Sequence, residues 1–154
     1  MPKPKTRIIL PYNMTCGIKA VCPSAEYLGV NHLHDYALLY RDHTLTAEPR
    51  KGHIIDTPVY SISANEEKCV DKVFSLYSDK MKKSEVTIQV SIEGKIVKRR
   101  ALLYTVDPSE PMSLPEPLYL RLLAETLAHI GIEFLPIFDA YTETRQLIDN
   151  KAGA

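Results

Sequence analysis

Apolar residues along the chain change their period several times, and each change marks an element. Ile8, Ile9 and Leu10 form a short run that reads as a strand entering a turn at Pro11, Tyr12 and Asn13. Beyond it Met14, Ile18 and Val21 repeat at helical spacing, with Asn13 placed to cap the start, Gly17 weakening the middle and Pro23 ending the helix. The unpaired N–H groups of such a helix start make the turn the natural floor of a ligand site. Residues 25–30 and 36–41 read as extended segments joined by a polar turn, Asn31-His32-Leu33-His34-Asp35. A third short strand over 45–48 closes at Pro49 and a turn follows over 50–52. Residues 54–62 then form a strand that Pro58 confines to an edge or a bulge.

Ser63-Ala64-Asn65-Glu66 is a capping box, in which the serine hydroxyl takes one free N–H while the glutamate reaches back to another. The helix it opens carries Cys69, Val70, Val73, Phe74 and Tyr77 on the face predicted to be buried. The cleanest alternation is Val86, Ile88, Val90 and Ile92 against Glu85, Thr87, Gln89 and Ser91. Glu93-Gly94 then turns the chain into a returning strand over 95–106, a hairpin. Pro108, Pro111, Pro115 and Pro117 make the next stretch a loop. A second strong helix buries Tyr119, Leu122, Leu123, Leu127 and Ile130 and stops at Gly131; a last helix covers about 136–148, and residues 151–154 fray. The pattern predicts an α+β fold, a curled mixed β-sheet or small barrel flanked by about three helices. It forms a single domain over 1–154 with loose tails at 1–6 and 150–154.

Composition narrows the function classes. Lys plus Arg and Asp plus Glu each number 19, so the formal net charge is zero, which argues against nucleic acid as a partner. The basic runs at Lys80, Lys82, Lys83 and at Lys98, Arg99, Arg100 read as solvated faces. No apolar run approaches a membrane span, and the N-terminus lacks the apolar stretch of a signal peptide. Cys16, Cys22 and Cys69 form no CxxC and cannot all pair, which points to a reducing cytoplasm.

The order of these pieces resembles the γ-glutamylcyclotransferase-like family, which includes a butirosin-biosynthesis member, over residues 8–141. The segments that carry the likeness are CPSAEYLG, HLHDYALLY, LTAEP, TPVYSISANEEKCVD and PLYLRLLAETLAHIGIEFLPIF, in that order. The resemblance implies a turn of tyrosine, glycine, serine and asparagine that holds a glutamyl carboxylate through backbone N–H groups. It also implies a glutamate that takes a proton from the substrate's α-amine. That amine then attacks the γ-carbonyl, closes the ring of 5-oxoproline and expels the other amine. On this chain the resemblance assigns substrate contacts to Leu10, Pro11, Tyr12, Asn13, Met14, Phe74 and Tyr104.

Two departures fall on that chemistry. Pro11 stands where the family has glycine, so one donor of the cradle is missing. The base position falls on Phe74, followed by Ser75 instead of glycine, and a phenyl ring accepts no proton. Thr57 also replaces a strand glycine. Asp71, Asp79 and Glu85 are the carboxylates nearest in sequence to substitute for the base, although all three also read as structural or surface groups. Phe74 reads as core as readily as a ligand wall, and Tyr12 as local packing more than a lid. His32 and His34 form an H-x-H with His43 and His53 nearby, yet without a carboxylate or cysteine at metal spacing; they read as surface histidines. No metal and no cofactor is expected.

Two functions remain. One is a γ-glutamylcyclotransferase-like protein with a pocket for a small carboxylate or γ-glutamyl amine, impaired for cyclotransfer. The other is a catalytically silent module that binds a ligand, a protein partner or a second copy through the same cleft.

Overall fold

The computed structural model describes residues 6–77 and 79–152, apart from the side chain of Tyr77. The order is β1 (Thr6–Ile9), α1 (Ile18–Val21), β2 (Glu26–Arg41), β3 (Thr44–Ser63), α2 (Ala64–Tyr77), β4 (Met81–Ile92), β5 (Lys95–Val106), α3 (Pro117–His129) and α4 (Leu135–Ala152). The five strands form one sheet in the order β2-β3-β1-β5-β4, with β1 antiparallel to β3 and parallel to β5. The two edge strands, β2 and β4, come within 8 Å of one another without pairing, so the sheet is curled but open.

Alternation along the central strands explains why both faces of the sheet are covered. Ile8, Ala101 and Leu103 point into one apolar cluster with Leu123 and Leu127 of α3 and Ile137 and Ala140 of α4. Ile9, Leu102 and Tyr104 point the other way, into a cluster with Ile18 and Cys22 near α1 and Val70 and Phe74 of α2. A strand buried on both sides has no polar face to show, hence the continuous run Ala101-Leu102-Leu103-Tyr104. On the outlying β4 the period of two survives: Ile88 and Val90 are buried while Thr87, Gln89 and Ser91 are exposed.

The capping box and the β4–β5 hairpin form as the residues predict. Ser63 N donates to Glu66 Oε1 at 2.9 Å and Glu66 N to Ser63 Oγ at 3.1 Å. Ile92 pairs with Lys95 across Glu93 and Gly94, both at positive φ (52° and 79°), the geometry of a two-residue hairpin turn. Gly131, at φ 80°, follows α3 as its stop.

Four expectations need correction. The segments around residues 31–35 and 50–52 do not end strands. β2 and β3 form one long hairpin that reverses at Asp42 and His43. Between the pairs His34–Ile54 and Tyr36–Pro49, β2 has Asp35 alone while β3 has Arg50, Lys51, Gly52 and His53. That bulge absorbs the turn-forming residues, and Asp35 Oδ1 accepts the Gly52 N–H at 2.9 Å. Pro58 sits opposite Val30, short of the Tyr60–Ser63 stretch that β1 covers, so its missing N–H costs β1 no bond. Second, Asn13 caps no helix: α1 is a single turn with Gly17 at its start. Third, Cys69 is exposed on α2, whereas Val70 and Phe74 are buried. Fourth, α4 continues to Ala152, past the expected end near 148; with the single-turn α1 the described residues form four helices, in keeping with about three expected.

Candidate functional site

The chain leaves β1 through Leu10, whose N–H still reaches Leu102 O at 3.0 Å, and then folds inward instead of opening a cradle. Leu10, Tyr12, Asn13 and Met14 are all buried. The Tyr12 hydroxyl donates to Tyr104 O at 2.8 Å and accepts the Ala47 N–H at 3.0 Å, tying β5 to β3. Burial pushes its phenol well above the ordinary range, so it stays a neutral donor. Asn13 Nδ2 donates to Leu45 O at 3.0 Å and to Tyr104 O at 3.3 Å. Two carbonyl acceptors fix the amide's orientation and leave Asn13 Oδ1 buried without a partner. These side chains brace the sheet from inside, and a one-turn α1 provides no anion-binding helix start.

At the position the resemblance gives to the base, the Phe74 ring lies face to face on Tyr104, with centroids 4.4 Å apart and planes 15° from parallel. The Tyr104 hydroxyl donates to Asp71 Oδ1 at 2.5 Å, and burial first, then the neighbouring Asp71, raises its pKa. Asp71 also meets Lys83 Nζ at 3.2 Å. Lys83 pairs in turn with Glu67, which meets Arg7 Nε at 3.1 Å. Of the three substitute carboxylates, therefore, only Asp71 is near the stacked rings, and it is engaged by a tyrosine and a lysine. Asp79 lies in the exposed turn before β4, and Glu85 faces Arg100 at 3.3 Å on the far hairpin. Thr57 is buried in β3.

An opening lies beside the 11–19 segment. A groove of about 740 Å³ runs between that segment and α3, with Pro11 and Met14 beneath, Tyr27 and Tyr60 on the sheet side and Leu122 and Ile130 on the helix. Tyr27 and Tyr60 are cross-strand partners whose rings stand 5.3 Å apart at 52°. Thr126 Oγ1, 3.1 Å from Thr15 O, ties α3 to the segment. Of the residues assigned from the resemblance, Pro11 and Met14 line this groove; Leu10, Tyr12, Asn13, Phe74 and Tyr104 do not. The tyrosine wall carried no local signal, whereas Leu122, Leu127 and Ile130, read from the sequence as a buried helix face, line the groove, with Leu122 37% exposed.

Other candidates resolve simply. His32 Nδ1 meets Asp56 Oδ1 at 2.5 Å across the exposed part of the long hairpin. Among the described residues no cluster of three or more His, Cys, Asp or Glu forms that could hold a metal. Cys22 is buried against Glu66 O, and burial pushes its thiol up to about 12, the reverse of an activated nucleophile. Among the described residues no helix is long and apolar enough to cross a membrane.

Several solved structures share this architecture. A γ-glutamyl cyclotransferase matches over 92% of this chain and 87% of its own, at 19% identity and a TM-score of 0.63. An uncharacterized protein from Homo sapiens matches over 82% of this chain and 80% of its own, at 21% identity and a TM-score of 0.61. YkqA from Bacillus subtilis matches over 95% of this chain at 15% identity and a TM-score of 0.63; this chain covers 54% of that longer protein. The fold is therefore γ-glutamylcyclotransferase-like: the described residues form an open, curled five-stranded mixed sheet with four helices. No family model matches the chain, and no curated protein matches it in sequence.

Proposed function

We propose that this is a γ-glutamylcyclotransferase-like protein that binds a small molecule in the groove beside the 11–19 segment and is impaired for 5-oxoproline formation. One observation carries the reading: a buried phenyl ring, stacked on Tyr104, occupies the position the resemblance gives to the general base. A base must reach the amine it deprotonates. Asp71, the nearest substitute, is already engaged by the Tyr104 hydroxyl and by the Lys83 ammonium, which occupy the oxygens a substrate amine would need. Pro11 adds to this by removing an N–H from the segment that would otherwise cradle a carboxylate or a developing oxyanion. A cytoplasmic setting suits the three free thiols.

The test is turnover. Purified protein is incubated with γ-glutamyl amines and γ-glutamyl amino acids, and 5-oxoproline is followed chromatographically, with Phe74→Glu run alongside and its fold checked by circular dichroism. No product from the unaltered chain is expected. Product from it rejects the reading, whereas product from the variant alone identifies the ring as the block. A folded variant that remains silent shifts the block to Pro11.

A further inference from the structure

The groove between the 11–19 segment and α3 has a body and a mouth of different chemistry. Its body is apolar and aromatic, and Tyr27 and Leu122, which face it from opposite walls, keep 45% and 37% of their surface in water. Covering such surface is favourable by about 25 cal/mol per Å². A volume of about 740 Å³ is in the range that holds small ligands. The charged lining residues, Lys19 and Glu125, are exposed and form its mouth; His129, also exposed, is in the lining too. Glu125 accepts from Arg121 Nε at 3.1 Å, one helical turn away, so its charge is met within α3. Lys19 has no ion pair among the described residues. The mouth thus presents one uncompensated cation above an apolar trough. A single ammonium matches a single carboxylate; a phosphate dianion would call for more donors than the groove supplies.

We infer that this groove binds a monocarboxylate with an aromatic or branched aliphatic body, the body lying between Tyr27, Tyr60 and Leu122 and the carboxylate meeting Lys19. The inference rests on the proposed function for the location of the site and goes beyond it in the ligand: the molecule needs no γ-glutamyl group. Tyr27 and Tyr60 meet at an oblique angle, so a flat ring packs edge-to-face against one while lying along the other, an arrangement aromatic pairs favour.

The experiment is a calorimetric titration of the full chain with phenylbutyrate, phenylbutanol and phenylbutylamine, which share a body and differ in head group. Phenylbutyrate is expected to bind about fivefold tighter than the alcohol, the advantage one exposed ion pair provides. Lys19→Met should erase that preference while leaving alcohol binding in place. Leu122→Asn, a neutral polar change on a partly exposed helix position, should weaken acid and alcohol alike by about tenfold or more. Equal affinities, or preference for the amine, would overturn the carboxylate assignment. Absence of saturable binding by all three at millimolar concentration would overturn the groove as a site for such ligands. Failure of the catalytic reading is separately visible: 5-oxoproline production by the unaltered chain rejects impaired cyclotransfer without altering any outcome of the titration.

Discussion

Tyr12 shows how the chain uses a residue that the resemblance had assigned to a substrate. Its hydroxyl satisfies two buried backbone groups at once, the Tyr104 carbonyl and the Ala47 N–H, on strands that do not pair directly with one another. Tyr12→Phe keeps the ring and its packing but removes the acceptor of the Ala47 N–H, while the Tyr104 carbonyl keeps the Asn13 amide as its donor. A loss of about 1–3 kcal/mol is expected, the cost of burying unsatisfied polar groups. Urea denaturation should show a lower midpoint with an unchanged slope; an unchanged midpoint would mean that the bridge contributes nothing net. Asn13 does similar work nearby, its amide nitrogen joining the Leu45 and Tyr104 carbonyls. Phe74 belongs to the same internal scaffold, which is why its aromatic character bears on stability as well as on chemistry.

The start of α2 joins a local signal to a distant one. Glu66 completes the capping box with Ser63 and also accepts from the N–H of Ser24 at 2.9 Å and from its hydroxyl, pinning the segment after α1 to the helix. Burial works upward on its pKa, but the hydrogen bonds from Ser24 and Ser63 outweigh it and lower the carboxyl from 4.5 to about 2. A carboxylate depressed in the folded state contributes stability in full above its unfolded pKa and loses it as the pH falls. The expected result is an acid-sensitive component that fades between pH 4.5 and about 2. Glu66→Gln should flatten that part of a plot of urea midpoint against pH. Superimposable acid limbs would show that Glu66 is not the linked group.

Over the molecule as a whole, the exposed edge of the sheet is the liability, and α4 manages it. Tyr40 in the edge strand β2 donates its N–H to Thr144 Oγ1 at 3.2 Å and its hydroxyl to Ile137 O at 2.8 Å, both on α4. The Tyr40 carbonyl accepts from Ser113 N at 3.2 Å in the proline-rich loop, and Arg50 and Glu143 clasp the same helix at 2.6 Å. A chain ending at Phe134 would uncover this edge and the face against which Ile137 and Ala140 pack. It is expected to lose its cooperative urea transition and to self-associate on size exclusion. A truncated monomer with an unchanged transition would show that the edge needs no cover.

What could be read along the chain was whatever near neighbours settle. Ser63 and Glu66 are three residues apart, Glu93-Gly94 turns a hairpin by itself, and the alternation in β4 needs only to know that one face is buried. The order and spacing of such pieces were enough to identify the architecture. The phenyl ring at position 74 and the proline at position 11 were equally plain. Distance along the chain hid the rest. The polar composition of residues 31–35 and 50–52 suggested two turns, because nothing local says that the segments lie opposite one another across a bulge. Asn13 looked like a helix cap until folding brought Leu45 and Tyr104 to its amide. The groove is defined by Tyr27, Tyr60 and Leu122, which come from three separate elements. Short-range hydrogen bonds and periodicity are written into adjacent residues, whereas a cavity exists only where remote surfaces meet, and that meeting is decided when the whole core packs.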